Sequence, residues 1–237
     1  MIELKDVSVR FGGVSALDSV SVVFAAPVSG IIGPNGAGKT TTMNVLSGFL
    51  PSSGQISFDG RAISDLAPYQ RTRWGLRRSF QREQLADDLS VLDNLRVLLD
   101  ALPGSRSDKA ADMDRALQVT GLASRAGELA ATLNTYERRL TDVARCLVGR
   151  PRIVMFDEPA GGLTPEETQH LGELIVQVNR LTGASVLVID HDVDMITRIC
   201  EETLVLDFGR RIAMGKTATV LADPRVQAAY LGLEEVL

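Results

Sequence analysis

Two cysteines, one tryptophan and two histidines in 237 residues leave little for this chain to be held together by except an apolar core. Cys146 and Cys200 stand in otherwise regular segments without metal-ligand spacing. That excludes a disulfide framework and a cysteine zinc site as organising devices, and buried reduced thiols are expected. No stretch approaches the ~20 apolar residues that cross a bilayer. The start, Met1-Ile2-Glu3-Leu4-Lys5-Asp6, lacks the basic residues and apolar run of a signal peptide, so a cytosolic address is expected. Positive charge is not in excess either. A net charge of −5 argues against non-specific nucleic-acid binding, and no nucleic-acid partner is expected. Internal repeats and low-complexity tracts are absent. What remains is 45% hydrophobic and 23% charged, enough to build one large domain or two intimate subdomains.

Against that plain background one stretch stands out. Gly33-Pro34-Asn35-Gly36-Ala37-Gly38-Lys39-Thr40-Thr41 matches G-x-x-x-x-G-K-[ST], the loop that cradles nucleotide phosphates. Gly36 and Gly38 let backbone N–H groups converge on phosphate oxygens, where side chains would intrude. Lys39 brings a positive charge to the β- and γ-phosphates, and the Thr40 hydroxyl suits Mg²⁺. The run containing Ile31 and Ile32 reads as a buried strand before the loop. Met43, Val45, Leu46, Phe49 and Leu50 read as a helix face after it, stopped at Pro51. Strand, loop and helix in that order predict a nucleoside triphosphate site. No Asn-Lys-x-Asp guanine-reading motif occurs, which disfavours a GTPase.

Ile2, Leu4, Val7, Val9 and Phe11 roughly alternate with polar residues, and Val20, Val22 and Phe24 repeat the pattern after Gly12-Gly13. Gln55 to Phe58, closed by Asp59-Gly60, is a third such segment, so an antiparallel sheet is expected at the start. From about Arg82 to Arg150 the apolar residues fall at helical spacing (Val91, Leu92, Leu95, Leu98, Leu99), predicting a helical insertion. The basic run Arg71, Arg73, Arg77, Arg78 and Arg82 reads as a solvated or docking face. Then strands and helices alternate. Ile153 to Phe156 and Val186 to Ile189 are buried strands, and Leu204 to Leu206 is another. Between the first two, Thr164-Pro165-Glu166-Glu167 is a capping-box start. Leu171, Leu174, Ile175, Val178 and Leu181 form that helix's apolar stripe, which ends near Gly183. This alternation predicts a parallel sheet with ligands at its carboxyl ends.

Two of those ends carry chemistry. Asp157 follows the strand ending at Phe156 and is suited to hold Mg²⁺, and Glu158 beside it can orient or deprotonate a water. His191 closes the next strand, where its imidazole can bond the γ-phosphate. His170, early in the capped helix, is expected to be solvated.

These residues resemble the nucleotide-binding subunit of an ATP-binding cassette transporter over the full chain. The resemblance implies an α/β fold: a P-loop NTPase core with a mainly parallel sheet, an N-terminal antiparallel β subdomain and an inserted α-helical subdomain. It implies one domain over 1–237, with 1–81 and 151–237 as the core and about 82–150 helical. ATP and Mg²⁺ are the implied cofactors. Glu158 and His191 take the catalytic roles, Gln81 joins Thr40 and Asp157 at the metal, and Phe11 falls where an aromatic ring stacks on adenine. Implied partners are a second cassette and membrane permease subunits docked near Gln81 to Leu95, with a solute-binding protein indirectly. The implied location is the cytoplasmic face of the membrane. Phe11-Gly12-Gly13-Val14-Ser15-Ala16-Leu17 and the tail Asp223 to Gly232 resemble the branched-chain amino acid importer type.

One motif departs. Where the family carries a signature near Leu-Ser-Gly-Gly-Gln, this chain has Leu133-Asn134-Thr135-Tyr136-Glu137. Tyr136 replaces a glycine at a close approach and Glu137 adds negative charge, so the contact offered to a partner's γ-phosphate should weaken. Thr164 also stands where the family's subunit-crossing loop has Asp or Asn. An asymmetric heterodimer is expected rather than a homodimer. The alternative function is a nucleotide-gated regulatory or scaffolding clamp with little turnover.

Overall fold

Alternating side chains make the first two strands a hairpin, and the computed structural model, which describes residues 1–231, shows how they pair. β1 (Ile2–Phe11) and β2 (Val14–Phe24) run antiparallel from Ile2↔Phe24 to Phe11↔Val14 around Gly12-Gly13. The alternation is only rough because the ladder is bulged. Asp6 and Ser19 adopt positive φ of 52° and 51°, and the register shifts on either side of Val7. β4 (Ser53–Phe58) and β5 (Arg61–Ala62) complete a four-stranded sheet in the order β2-β1-β4-β5.

By contact the chain divides into two compact units, one of Met1–Arg71 with the chain from Leu187 onward, the other of Thr72–Val186. In the first unit, β3 (Val28–Ile32) is buried at every position and leads through the glycine loop into α1 (Lys39–Ser47). Gly48, at φ 80°, ends α1 before Pro51 is reached. A short helix α2 (Pro68–Trp74) leads out of this unit.

The second unit opens with β6 (Leu76–Arg78) and continues through α3 (Val91–Asp100), α4 (Arg106–Val119) and α5 (Thr135–Leu147) to β7 (Ile153–Asp157) and α6 (Pro165–Thr182). Val91, Leu95, Leu99, Met113, Leu117 and Leu140 are buried in one cluster, and Leu92 and Leu98, expected on the same helical face as the first three, pack against it partly buried. β6 and β7 are parallel, pairing Leu76↔Ile153 through Arg78↔Met155. α6 has the expected capping box at Thr164 and Glu167 and ends at Gly183, but Leu181, expected in its stripe, is exposed.

β8 (Ser185–Ile189) carries the chain back to the first unit, which adds α7 (Val193–Ile199), β9 (Glu202–Asp207), β10 (Arg210–Lys216), α8 (Thr217–Leu221) and α9 (Pro224–Leu231). β3 pairs parallel with β9, Ser29↔Glu202 to Ile32↔Val205, and β10 turns back antiparallel on β9. β6 and β10 had not been expected; one is three residues long and the other is half-exposed along most of its length. Gly232, last residue of the tail motif, lies outside the described residues.

The basic run divides: Arg73 and Arg82 are exposed, as a solvated face requires, while Arg71 and Arg77 are not. Arg71 is buried and donates to Val45 O (2.6 Å), Leu46 O (2.7 Å) and Ser64 O (2.8 Å), closing the carbonyl end of α1. Arg77 is buried too, bonded to Thr72 O (2.7 Å) and Gly149 O (3.0 Å). Their guanidiniums replace water on orphan carbonyls, as helix and strand ends require. Both cysteines are buried and free. Burial pushes the Cys200 thiol up to about 12 and that of Cys146 higher, so neither is a thiolate at neutral pH.

Candidate active site

The phosphate loop is built by β3 and closed by glycines that nothing else could replace. A Cβ on Gly33, at φ 151°, would meet Leu206 O at 2.1 Å, and one on Gly38, at φ 104°, would meet Ala16 O at 2.6 Å. Ala37 N–H bonds Pro34 O (3.1 Å), and Gly209 N–H bonds Ala37 O (3.0 Å), fixing the loop against the β9–β10 turn. Gly38 caps α1 with no side chain, so the first turn presents backbone N–H groups and the positive end of its dipole. Lys39 Nζ donates to Gly33 O (2.7 Å) and Pro34 O (3.0 Å). The ammonium thus lies across the loop's own carbonyls, held by bonds that phosphate oxygens can take over. Asn35, Gly36 and Thr40 are exposed and Thr41 is half-buried, so the cradle faces solvent. Phe11, also in this unit, is 51% exposed at the end of β1. A large ring left open at a hairpin end does not fill the core. His191 follows β8, which neighbours β3 in the sheet, and Asp192 caps α7 behind it.

The second unit assembles the carboxylates. Because β6 and β7 are parallel and in register, the segment Ser79-Phe80-Gln81 and the pair Asp157-Glu158 leave the sheet side by side. Gln81 Nε2 donates to Glu158 Oε2 at 2.5 Å. Arg78 Nη2 pairs with Asp157 Oδ2 at 2.8 Å, both side chains about 95% buried, and its guanidinium lies 4.7 Å from the Phe80 ring. Glu158 has φ 50°, an uncommon conformation for a non-glycine residue that turns the chain sharply after β7. Arg78 was missed by sequence reasoning, having been read as part of a surface run.

A charged stripe on α5 then grips the Gln81 segment. Arg139 Nη2 donates to Gln81 O (2.9 Å) and its guanidinium pairs with Glu83 (3.0 Å). Arg145 Nη1 donates to Gln84 O (2.7 Å) and lies 3.3 Å from Asp142. Asp142 accepts from the Phe80 N–H, and burial pushes its carboxyl up to about 6, partly opposed by Arg145 and Arg139. The signal was in the sequence, since Arg139, Asp142 and Arg145 recur every three residues on one face.

The departing motif Leu133 to Glu137 opens the same helix. Asn134 Oδ1 accepts from Glu137 N–H (2.9 Å) and Glu137 Oε2 accepts from Asn134 N–H (3.0 Å), a complete capping box. Glu137 also pairs with Arg125, and Leu133 is buried in the helical cluster. The Tyr136 hydroxyl bonds His170 Nδ1 on α6, so His170 is engaged by a side chain rather than merely solvated. Burial and nearby Glu167 hold the Tyr136 phenol above its usual range. Glu137's charge is thereby countered, a consequence sequence alone did not reveal.

Thr40 hydroxyl and Asp157 carboxylate are hard oxygen donors, which suit Mg²⁺. Among the described residues no group of three or more His, Cys, Asp or Glu side chains could hold a metal by itself. Phosphate oxygens and water would therefore supply most of any magnesium shell, as is usual at nucleotide sites.

Residues 19–161, which span the phosphate loop, Gln81 and the Asp157-Glu158 pair, match the ABC transporter model. The chain belongs to the ABC transporter family. It is an ATP-binding cassette, an ATPase of the α/β P-loop fold. Residues 210–236 further match the model described as branched-chain amino acid ATP-binding cassette transporter. The chain is 34% identical to the high-affinity branched-chain amino acid transport ATP-binding protein LivG of Salmonella typhimurium, over 98% of both chains. It is similar to the ADP conformation of MJ1267, an ATP-binding cassette of an ABC transporter, with 26% identity, TM-score 0.87 and 98% of both chains covered. It also resembles the dimeric structure of MJ0796, a bacterial ABC transporter cassette, with 25% identity and TM-score 0.79 over 92% of this chain and 99% of that one.

Proposed function

We propose that this cassette powers import of branched-chain amino acids or a related small polar solute through a separate permease, at the cytoplasmic face of the membrane. The observation that carries this reading is the end-to-end likeness to LivG, joined by the importer-type match at 210–236. No helix among the described residues is long and apolar enough to cross a membrane, so attachment would come through permease subunits. A solute-binding protein would act upstream of them.

Each residue then has a task. Gly33 to Thr41 hold the ATP phosphates, through backbone N–H groups at every position but Pro34, and Lys39 exchanges its loop carbonyls for phosphate oxygens. On this reading Thr40, Asp157 and Gln81 would hold Mg²⁺, which would supply positive charge to the phosphates. Glu158, oriented by Gln81, takes the proton of the attacking water, and His191 bonds the γ-phosphate. Phe11 stacks on adenine. On the resemblance, 1–81 with 151–237 would form the nucleotide core and about 82–150 the helical subdomain.

ATP closes two cassettes face to face, and the partner we propose is a different chain. Asn134 and Glu137 spend their polar atoms on the capping box, and Tyr136 puts a ring where the signature needs glycine. This chain's own ATP would be hydrolysed against an intact partner signature, while the partner's ATP turns over slowly. Glu158 and His191 count against a clamp that never hydrolyses. The test is the triple variant Asn134→Ser, Tyr136→Gly, Glu137→Gln in the assembled transporter. A rise in ATP turnover supports the asymmetry, and unchanged turnover overturns it.

A further inference from the structure

One cavity in the second unit has no part in nucleotide chemistry. It measures about 410 Å³, within the range of roughly 300–1,000 Å³ usual for small-molecule sites. It lies at the amino-terminal ends of β6 and β7, whereas Asp157 and Glu158 leave the carboxyl end of β7. Its lining sorts by charge and by element. Asp108 and Asp112 come from α4, one turn apart on the same face, and Lys109 stands between them in sequence. Arg150 and Arg152 come from the segment entering β7, and Arg73 from α2.

Opposite charges lining one cavity ordinarily pair, yet among the described residues none of these six is salt-bridged to another. Their positions are fixed by other contacts. Arg73 Nε donates to Ala101 O (3.3 Å), Arg152 lies 5.3 Å over the Trp74 ring, and Asp112 Oδ2 accepts from Gly149 N–H (3.3 Å). Gly149 and Arg150 both adopt positive φ, 75° and 55°, bending the chain at the lining. The rest of the lining includes the apolar side chains of Trp74, Leu99, Leu102 and Pro103.

From this arrangement we infer that the cavity is a binding site for a small zwitterion with an apolar side chain, a free aliphatic α-amino acid. Its carboxylate meets the Arg150 and Arg152 guanidiniums, its ammonium meets Asp108 and Asp112, and its side chain lies against Leu99, Leu102 and the Trp74 ring. Charge-assisted hydrogen bonds at both ends set orientation, and the apolar wall selects the side chain. A simple anion would leave the two carboxylates facing it, and a simple cation would meet the arginines. The assignment rests on the lining alone and is independent of the solute the transporter carries.

Titration calorimetry of the purified full chain with L-leucine tests it. Saturable binding is expected, at least fivefold weaker for leucinamide, which lacks the carboxylate, and for 4-methylpentanoate, which lacks the ammonium. Glycine, without a side chain, should also bind at least fivefold more weakly. Arg150→Gln and Asp112→Asn should each weaken leucine at least fivefold while nucleotide binding stays unchanged. If one variant fails to fold, the other and the ligand series still decide. Absence of saturable heat up to about 10 mM, beyond the usual weak-binding range, would overturn the site. Equal binding of leucine and 4-methylpentanoate would overturn the zwitterion. ATP turnover of the same preparation separates either failure from a failure of the ATPase reading.

Discussion

Replacing Arg78 with alanine removes the partner of the carboxylate expected to serve magnesium, and the size of the loss follows from burial. Arg78 and Asp157 are about 95% buried and 2.8 Å apart. Removing one member of such a pair leaves the other charge uncompensated in a poorly solvated place, at a cost of about 3–5 kcal/mol. The lost contact with the Phe80 ring at 4.7 Å adds about 0.5–1 kcal/mol. For a chain of this size the thermal midpoint should fall by roughly 7–24 °C. Asp157→Asn combined with Arg78→Ala removes the stranded charge and should recover a large part of the loss. Denaturation of the four proteins of this double-mutant cycle measures the coupling. A loss under about 1 kcal/mol for Arg78→Ala, or no recovery in the double variant, would refute the argument that this ion pair holds the end of β7.

Asp142 gives a pH prediction. Its folded pKa of about 6 lies above its ordinary 3.8, so between those values the folded state carries the extra proton. This contribution is fully present below about pH 4 and is lost as pH rises through 6, by about 3 kcal/mol in all. Asp142→Asn should flatten that decline in a denaturation series from pH 4 to 7. Gly38→Ala should abolish nucleotide binding and lower stability, since its Cβ would lie 2.6 Å from Ala16 O; fluorescent-nucleotide binding near wild-type would contradict the loop geometry.

The features read from sequence were those in which a local rule fixes a shape. Gly33 to Thr41 encode a turn that only glycines permit, and Thr164-Pro165 with Glu167 encode a helix start. Both stand where expected. Arg71, Arg77 and Arg78 were misread because charge alone does not reveal a buried partner. The carbonyls of α1 and Gly149, and the Asp157 carboxylate, come from segments 25 to 79 residues away. β6 was missed because three residues carry too little periodicity to register, yet it brings Gln81 to Glu158. The signature loop shows the same limit. Its departure from the family was plain in the letters, but Arg125 and His170 as the partners of Glu137 and Tyr136 were not.

The most direct measurement is ATP hydrolysis by the purified chain across protein concentration, alongside Glu158→Gln. Turnover by the chain alone that rises more steeply than linearly would show that two copies build a working site, against the proposed heterodimer. The assignment of Glu158 as base predicts a fall of at least about 100-fold in the variant, with ATP binding retained. Weak turnover from the chain alone, raised by a cassette bearing an intact signature, is the proposed heterodimer's pattern. Equal hydrolysis by Glu158→Gln and wild type would contradict the assignment of Glu158 as base.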